Sequence, residues 1–314
     1  MLAEQGHAVR ALARRVEQFS EFTHPDIVPF VGNLSNPESL LAATKGMDEV
    51  YHLAALASDW APDKRTFYKV NFEGTLHLLE AARKNGVRRT VVTSTMGTIG
   101  PPDPAHIVPV DEEHVRWVDF FTDYETSKSL LEERIGHLVR RGQDIVVVNP
   151  TRIFGPGIYD RKNGLIMMMD HYLHRPFAIV PGVKEVLGNY VYVDDVAHGH
   201  ILAMEKGRVG EKYILGGHDW NFGQYLELVQ EVSGKKGRAF RIPFSLIRVM
   251  AIWGAIGAKL FKKAPMVTAT YLKKIRYDWP VSSAKAESEL GYKISPADES
   301  IKAMLTWLLE YKKK

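Results

Sequence analysis

The chain has 314 residues, 45% of them hydrophobic, no cysteine and a formal net charge of +4 at pH 7. That length allows one large domain or two modest ones with a sizeable core. The lack of cysteine excludes a disulfide framework, thiolate metal sites and cysteine nucleophiles. The small basic excess, spread along the chain apart from the terminal Lys-Lys-Lys, argues against nucleic acid as a partner.

Residues 1–6 read as the last turns of a helix closed by Gly6, and "HAVRALA" (7–13) alternates as a strand. "DIVPFVGNL" (26–34) is a second strand, and "NPESLLAATKG" (36–46) a short helix capped by Asn36 and stopped at Gly46. "DEVYHLAAL" (48–56) is a third, nearly continuous apolar strand, followed by a helix over 68–86. "RRTVVTST" (88–95), a helix over 124–142 and "QDIVVVNP" (143–150) complete the alternation. Buried apolar strands alternating with helices predict an α/β, doubly wound parallel sheet that binds a ligand at the carboxyl ends of its strands. After the Gly-Pro-Gly at 155–157 the alternation loosens. A strand and helix over 188–207 and a strand over 211–217 return to the sheet, and the remainder is mostly helical. The division expected is 1–154 for the sheet domain, with 188–217 returning to it, and 155–314 for a smaller domain covering a substrate. The apolar helix at 245–261 carries Arg248 and Lys259. Those charges argue against a membrane span; the helix reads as amphipathic or pocket-lining, with peripheral membrane contact as the alternative. No signal peptide is visible, and a cytoplasmic location is expected.

Tyr124 and Lys128 form the only Tyr-x-x-x-Lys in the chain, and on a helix they share one face. A free tyrosine has a pKa of about 10, too high for ready proton exchange at neutral pH. An ammonium about 4 Å away favours the phenolate by up to ~4 kcal/mol, enough to bring the phenol into the range of general acid–base work. The preceding strand ends in hydroxyls, Thr93-Ser94-Thr95, one of which can hold a substrate oxygen against the phenol. The plain alternative is a surface helix with one tyrosine and one lysine. His198 and His200 read as structural or exposed, and Asp194 and Asp195 as capping the helix that follows them.

The ordered set "HLAA", "VNFEGTLHLLEAARKNGVRRTVVTST", "YETSK", "VNPTRIFGPG", "YVYVDDVAHGHILAMEKG" and "SSAKAESELGY" resembles the extended short-chain dehydrogenase/reductases, also called the NAD-dependent epimerase/dehydratase family. The likeness is greatest to its dihydroflavonol-reductase-like branch, which includes hopanoid-associated sugar epimerases. The resemblance covers essentially the whole chain. It implies a Rossmann-like fold with Tyr124 as proton donor or acceptor, Lys128 lowering its pKa and holding the nicotinamide ribose, and Thr95 as the catalytic hydroxyl, with Ser94 its neighbour and rival. Asn71 matches a family asparagine. The backbone of Leu53, Ala54 and Ala55 is expected to pass under the cofactor, and Asn149, Pro150 and Ile153 to lie along the nicotinamide.

In the family a first strand and a Gly-x-x-Gly-x-x-Gly turn precede the segment matched by residues 1–15, and no substitute for that phosphate-binding turn occurs elsewhere in this sequence. The expectation is that Met1 is an internal methionine of a longer enzyme, and that the chain from Met1 alone binds the nucleotide weakly. Arg14 and Arg15, at the end of the 7–13 strand where NAD enzymes carry a carboxylate, predict NADPH, with NAD as the alternative. Asn33, with Leu34 beside it, stands where the family has an aspartate near the adenine. The leading expectation is hydride transfer between NADPH and a carbonyl or secondary alcohol of a largely apolar small molecule. No arginine occurs at Gly188 and Asn189, where epimerases of nucleotide sugars reach the diphosphate, and this leans away from such substrates. A sugar epimerase with tightly held NAD and a non-catalytic binding protein remain the alternatives. The family often dimerises through the helices beginning near Tyr68 and Tyr124.

Overall fold

The computed structural model describes residues 1–20, 22–157, 159, 164–175, 177–182, 186–235, 238–261, 264–265 and 267–311. β1 (Val9–Ala13) and β2 (Ile27–Val31) pair in parallel, Val9 opposite Ile27. α1 (Pro37–Thr44) starts where expected, because the Asn36 side chain accepts from Glu38 N at 3.0 Å and Ser39 N at 3.1 Å. β3 (Glu49–His52) is shorter than its apolar run. The Asn71 side chain takes both backbone groups of Leu56, accepting from its N–H at 2.8 Å and donating to its carbonyl at 3.3 Å, so Leu53–Leu56 leave the sheet as a loop. α2 (Arg65–Phe67), a π-helical turn at Tyr68–Glu73 and α3 (Gly74–Lys84) follow one another without a break. β4 (Arg89–Thr93), the short α4 (Met96–Ile99), α5 (Asp123–Val139) and β5 (Ile145–Pro150) come next.

Beyond β5 the chain makes β6 (Arg152–Phe154), α6 (Gly164–His174), β7 (Phe177–Gly182), β8 (Gly188–Tyr192), α7 (Val193–Lys206), β9 (Lys212–Leu215) and β10 (His218–Trp220). Then come α8 (Phe222–Ser233), β11 (Arg238–Pro243), α9 (Phe244–Phe261), α10 (Ala269–Lys274) and α11 (Ala297–Tyr311). β9 joins the main sheet, whose parallel order is β3–β4–β5–β9. β8 does not; it lies between β6 and β10 in a smaller sheet, because Arg152–Phe154 pairs along one of its edges. β7 pairs with β11.

Alternating valines decide which helix covers which face. Val91, Val146 and Val148 pack under Ala203 and Met204 of α7. Val92, Ile145 and Val147 point the other way, onto Leu79 of α3 and Leu131 and Ile135 of α5. A strand's two-residue period thus buries both faces, as a doubly wound Rossmann-like sheet requires. A second core unites Phe154, Tyr172, Tyr190 and Tyr225 with Ile301 and Met304 of α11. Among the described residues no hydrogen bond joins the β1–β2 ladder to β3. The two are linked by side chains, with Leu12 and Val50 packed on Leu34, Leu40, Leu78 and Ala81. Gly74 lets the helix approach closely there, since a Cβ would lie 2.8 Å from that of Leu34.

Leu131 is fully buried between α5 and the sheet. Leu131→Ala is expected to cost about 2–5 kcal/mol of stability. Urea unfolding of the two proteins measures it, and a loss below about 0.5 kcal/mol would contradict this account of the core.

Candidate active site

The end of β4 turns into α4 through Thr95, whose extended backbone and side-chain bond to Gly97 N at 3.1 Å cap that helix. The Thr95 hydroxyl also lies close enough to the Tyr124 phenol to ease its ionisation. Ser94, one residue earlier, faces the opposite way. It is buried and donates to the Glu132 carboxylate. A single peptide step therefore separates a hydroxyl turned to the phenol from one committed to the core.

Tyr124, Lys128 and Glu132 follow at four-residue spacing on one face of α5. Lys128 is 1% exposed, and its ammonium donates to the Thr93 carbonyl at 2.7 Å. Glu132 accepts at Oε1 from Thr98 Oγ1 at 2.7 Å and from Asn149 Nδ2 at 2.9 Å, in addition to Ser94. Burial lowers Lys128 to about 8, against the opposing pull of the Glu132 charge. The same desolvation pushes Tyr124 up to about 12, opposed by the nearby Thr95 hydroxyl and reinforced by the Glu125 and Asp59 charges. The expected lowering of the phenol by Lys128 is not what this structure has. The ammonium is turned onto a main-chain carbonyl, and desolvation outweighs attraction.

Asn71, wholly buried in the π-helical turn, ties the loop after β3 to α5 through Leu56 and through Ser127 Oγ at 3.1 Å. Leu53, Ala54 and Ala55 are exposed on that loop. Asn149 and Pro150 end β5 beside Thr95, with Asn149 Nδ2 on the Thr95 carbonyl at 3.1 Å, and Ile153 is exposed on β6. Arg14 and Arg15 are exposed just beyond β1. Asn33 forms a turn, its Oδ1 accepting from Ser35 N at 3.0 Å, and Leu34 packs inward. Asp195 accepts from the backbone and hydroxyl of Ser295, so it pins a distant segment and does not cap its own helix. His200 is buried on the Thr93 hydroxyl at 2.7 Å.

Several residues around Tyr124 escape a sequence reading. Glu125 is 1% exposed and gathers Lys274 at 2.8 Å, Phe121 N at 2.8 Å and Arg116 at 3.4 Å. Lys274 also reaches Asp59 at 3.0 Å, joining α10 to the loop after β3. Arg152 stacks on Tyr190, its Cζ 5.4 Å from the ring centroid. Gly188 makes room for it, because any Cβ there would collide with the guanidinium. A cation is thus present where the sequence reading found none, supplied by β6. Glu132 alone had a visible signal, its spacing from Lys128.

In an open parallel sheet the ligand site lies beyond the carboxyl ends of the strands, and that is where the end of β4 delivers the hydroxyl and α5 the phenol and ammonium. Fold and site together define the class as NAD(P)-dependent oxidoreductases. The chain belongs to the NAD dependent epimerase/dehydratase family, whose model matches residues 1–221. It is 32% identical to sterol demethylase protein B of Methylococcus capsulatus, over 80% of this chain and 75% of the relative. It is 31% identical to the 4-hydroxy-2-methyl-3-oxo-4-farnesyl-3,4-dihydroquinoline-1-oxide ketoreductase of Stigmatella aurantiaca, over 93% of this chain and 86% of that one. The crystal structure of gox2253 superposes with a TM-score of 0.78 at 31% identity, covering 99% of this chain and 93% of the other.

Two buried groups suit a bound nicotinamide nucleotide. Lys128 has one carbonyl acceptor for three N–H donors, and Asn149 Oδ1 has no hydrogen-bond partner. Lys128 has a folded pKa below its unfolded value of about 10.4. The native state then binds fewer protons between about pH 8 and 10.4, and stability rises with pH across that window. Below it the buried charge is a full cost. Lys128→Met is expected to stabilise the protein at pH 7 by on the order of 1–3 kcal/mol and to flatten that rise. Urea midpoints at pH 7 and pH 10 check both, and an unchanged rise in the variant would contradict the assignment.

Proposed function

We propose that this chain transfers hydride between NADPH and a carbonyl or secondary alcohol of a largely apolar small molecule. The observation that carries the reading is Tyr124, set beside the Thr95 hydroxyl and one turn of α5 from a buried ammonium. Bound nicotinamide supplies or accepts the hydride. Tyr124 supplies the proton to the substrate oxygen, and Thr95 holds that oxygen in line. Burial keeps that phenol protonated at neutral pH, the state a proton donor needs. Met96, Phe121, Tyr277 and Trp279 pack together beside Thr95 as an apolar wall. The sterol and farnesylated dihydroquinoline in the relatives' names support an apolar substrate. Arg14 and Arg15, exposed beyond β1, support NADPH over NADH by offering positive charge to a 2′-phosphate. A second reading, epimerisation of a nucleotide sugar with retained NAD, is favoured by one observation, the Arg152 guanidinium beside Gly188. Cofactor retained through purification, together with turnover of a nucleotide sugar, would select it.

A panel of sterol, flavonoid and quinoline ketones assayed with NADPH and NADH tests the first reading. Tyr124→Phe is expected to lower turnover by roughly 10²–10⁴-fold without changing the unfolding midpoint, and a near-normal rate would refute the assignment. Replacing Arg14 and Arg15 with alanine is expected to weaken NADPH by about tenfold or more and leave NADH unchanged, as a partly exposed charge-assisted contact would. Equal weakening of both nucleotides, measured by calorimetry, would remove the arginines from the discrimination.

A further inference from the structure

The basic residues are less evenly spread than the totals suggest. Residues 232–277 contain 11 of the 41 lysines and arginines and no aspartate or glutamate. The rest of the chain holds the remaining 30 against all 37 carboxylates, so one segment is strongly cationic on an otherwise acidic protein.

α9 lies at the centre of that segment. Leu246, Val249, Ile252, Trp253, Ile256 and Leu260 are all exposed, Trp253 at 69% and Leu260 at 71%. At 100° per residue these six fall within an arc of about 120°. Ile247, Ala251 and Ala258 are buried and lie on the opposite side of the helix. The exposed stripe is therefore a second apolar face, additional to the one that packs on the protein. Arg248 is exposed beside it. A contiguous apolar stripe of this kind marks an interaction surface. Among the described residues no helix is long and apolar enough to cross a membrane.

We propose that α9 docks the protein, lying in the plane of the interface, on a bilayer rich in anionic phospholipid. The stripe enters the acyl boundary, Trp253 sits at headgroup level, and cations of the carboxylate-free segment meet the lipid phosphates. A neutral or basic surface would offer that concentration of cations no counter-charge. The placement also bears on the active site. α10 packs against α9 and carries Lys274, which reaches Asp59 and Glu125 beside Tyr124. Docking brings the substrate side of the site next to the bilayer, which suits the apolar substrate proposed above; the docking itself does not depend on that reading.

Flotation with vesicles of phosphatidylcholine alone and of phosphatidylcholine with phosphatidylglycerol tests it. The protein is expected to float with the anionic vesicles and to be released at high salt. Changing Ile252 and Trp253 together to serine is expected to lower vesicle partitioning by roughly ten- to a hundredfold, since two large side chains lose their burial. Both are exposed, so far-UV circular dichroism and the unfolding midpoint remain as in the parent. Arg248→Gln is expected to weaken binding to anionic vesicles only. No flotation, or binding indifferent to lipid charge and salt, overturns the proposal. So does sedimentation showing a dimer that the serine variant dissolves, which would make the stripe an interface between two copies of this chain. Turnover of soluble ketones is measured in parallel, so that failure of docking is distinguished from failure of the enzymatic reading.

Discussion

One carboxylate oxygen holds the reactive end of the sheet together. Glu132 Oε1 takes hydrogen bonds from Ser94 at the end of β4, Thr98 in α4 and Asn149 at the end of β5. These donors belong to three elements that converge only in the folded chain, and the acceptor comes from a fourth, α5. Hydrogen bonds to a charged group are worth roughly twice those between neutral groups, and here three share one anion. The bond from Ser94 fixes the peptide that turns Thr95 toward the phenol. The bond from Asn149 fixes the strand end expected along the nicotinamide. Without that anion the buried Ser94 hydroxyl would lose its acceptor, and Thr98 and Asn149 would be left with the Thr95 carbonyl to share.

Around this anchor the charges are arranged by depth. Lys128 is sealed in and weakened as a cation by desolvation, while Glu125, equally deep, is matched by Lys274 and Arg116. Arg116 further stacks on Phe120 at 4.4 Å and bonds three main-chain carbonyls, so its guanidinium also clamps the loop before α5. The result is asymmetric. The sheet side of Tyr124 has a lysine with spare donors, and the outer side has acids already neutralised by the protein's own cations.

The elements that sequence announces are those governed by neighbours along the chain. Asn36 caps a helix with its own next residues, and Tyr124 and Lys128 share a face by helical geometry alone. Paired strands of alternating valines could bury two faces in only one architecture. What escapes is decided by partners far along the chain. Ser94 and Thr95 are chemically near-equivalent until the register of β4 assigns one to Glu132 and the other to the phenol. Arg152 lies 36 positions before Gly188 in sequence and is brought to it by the β6–β8 pairing. The raised proton affinity of Tyr124 escapes for the same reason. A pairwise estimate includes the lysine but not the desolvation imposed by everything folded over both groups. The third strand ended early because Asn71, fifteen residues on from Leu56, captured its backbone.

The separation of the β1–β2 ladder from the four-stranded sheet also shapes how the molecule breathes. Opening β1 from β2 breaks their own ladder, the Arg10 bonds to the Ala43 and Lys45 carbonyls and the packing of Leu12, but no hydrogen bond of β3, β4, β5 or β9. Arg14 and Arg15 ride on the β1–β2 ladder, and Tyr124 stands beside the four-stranded one. A ligand that touched both would hold the two ladders in register.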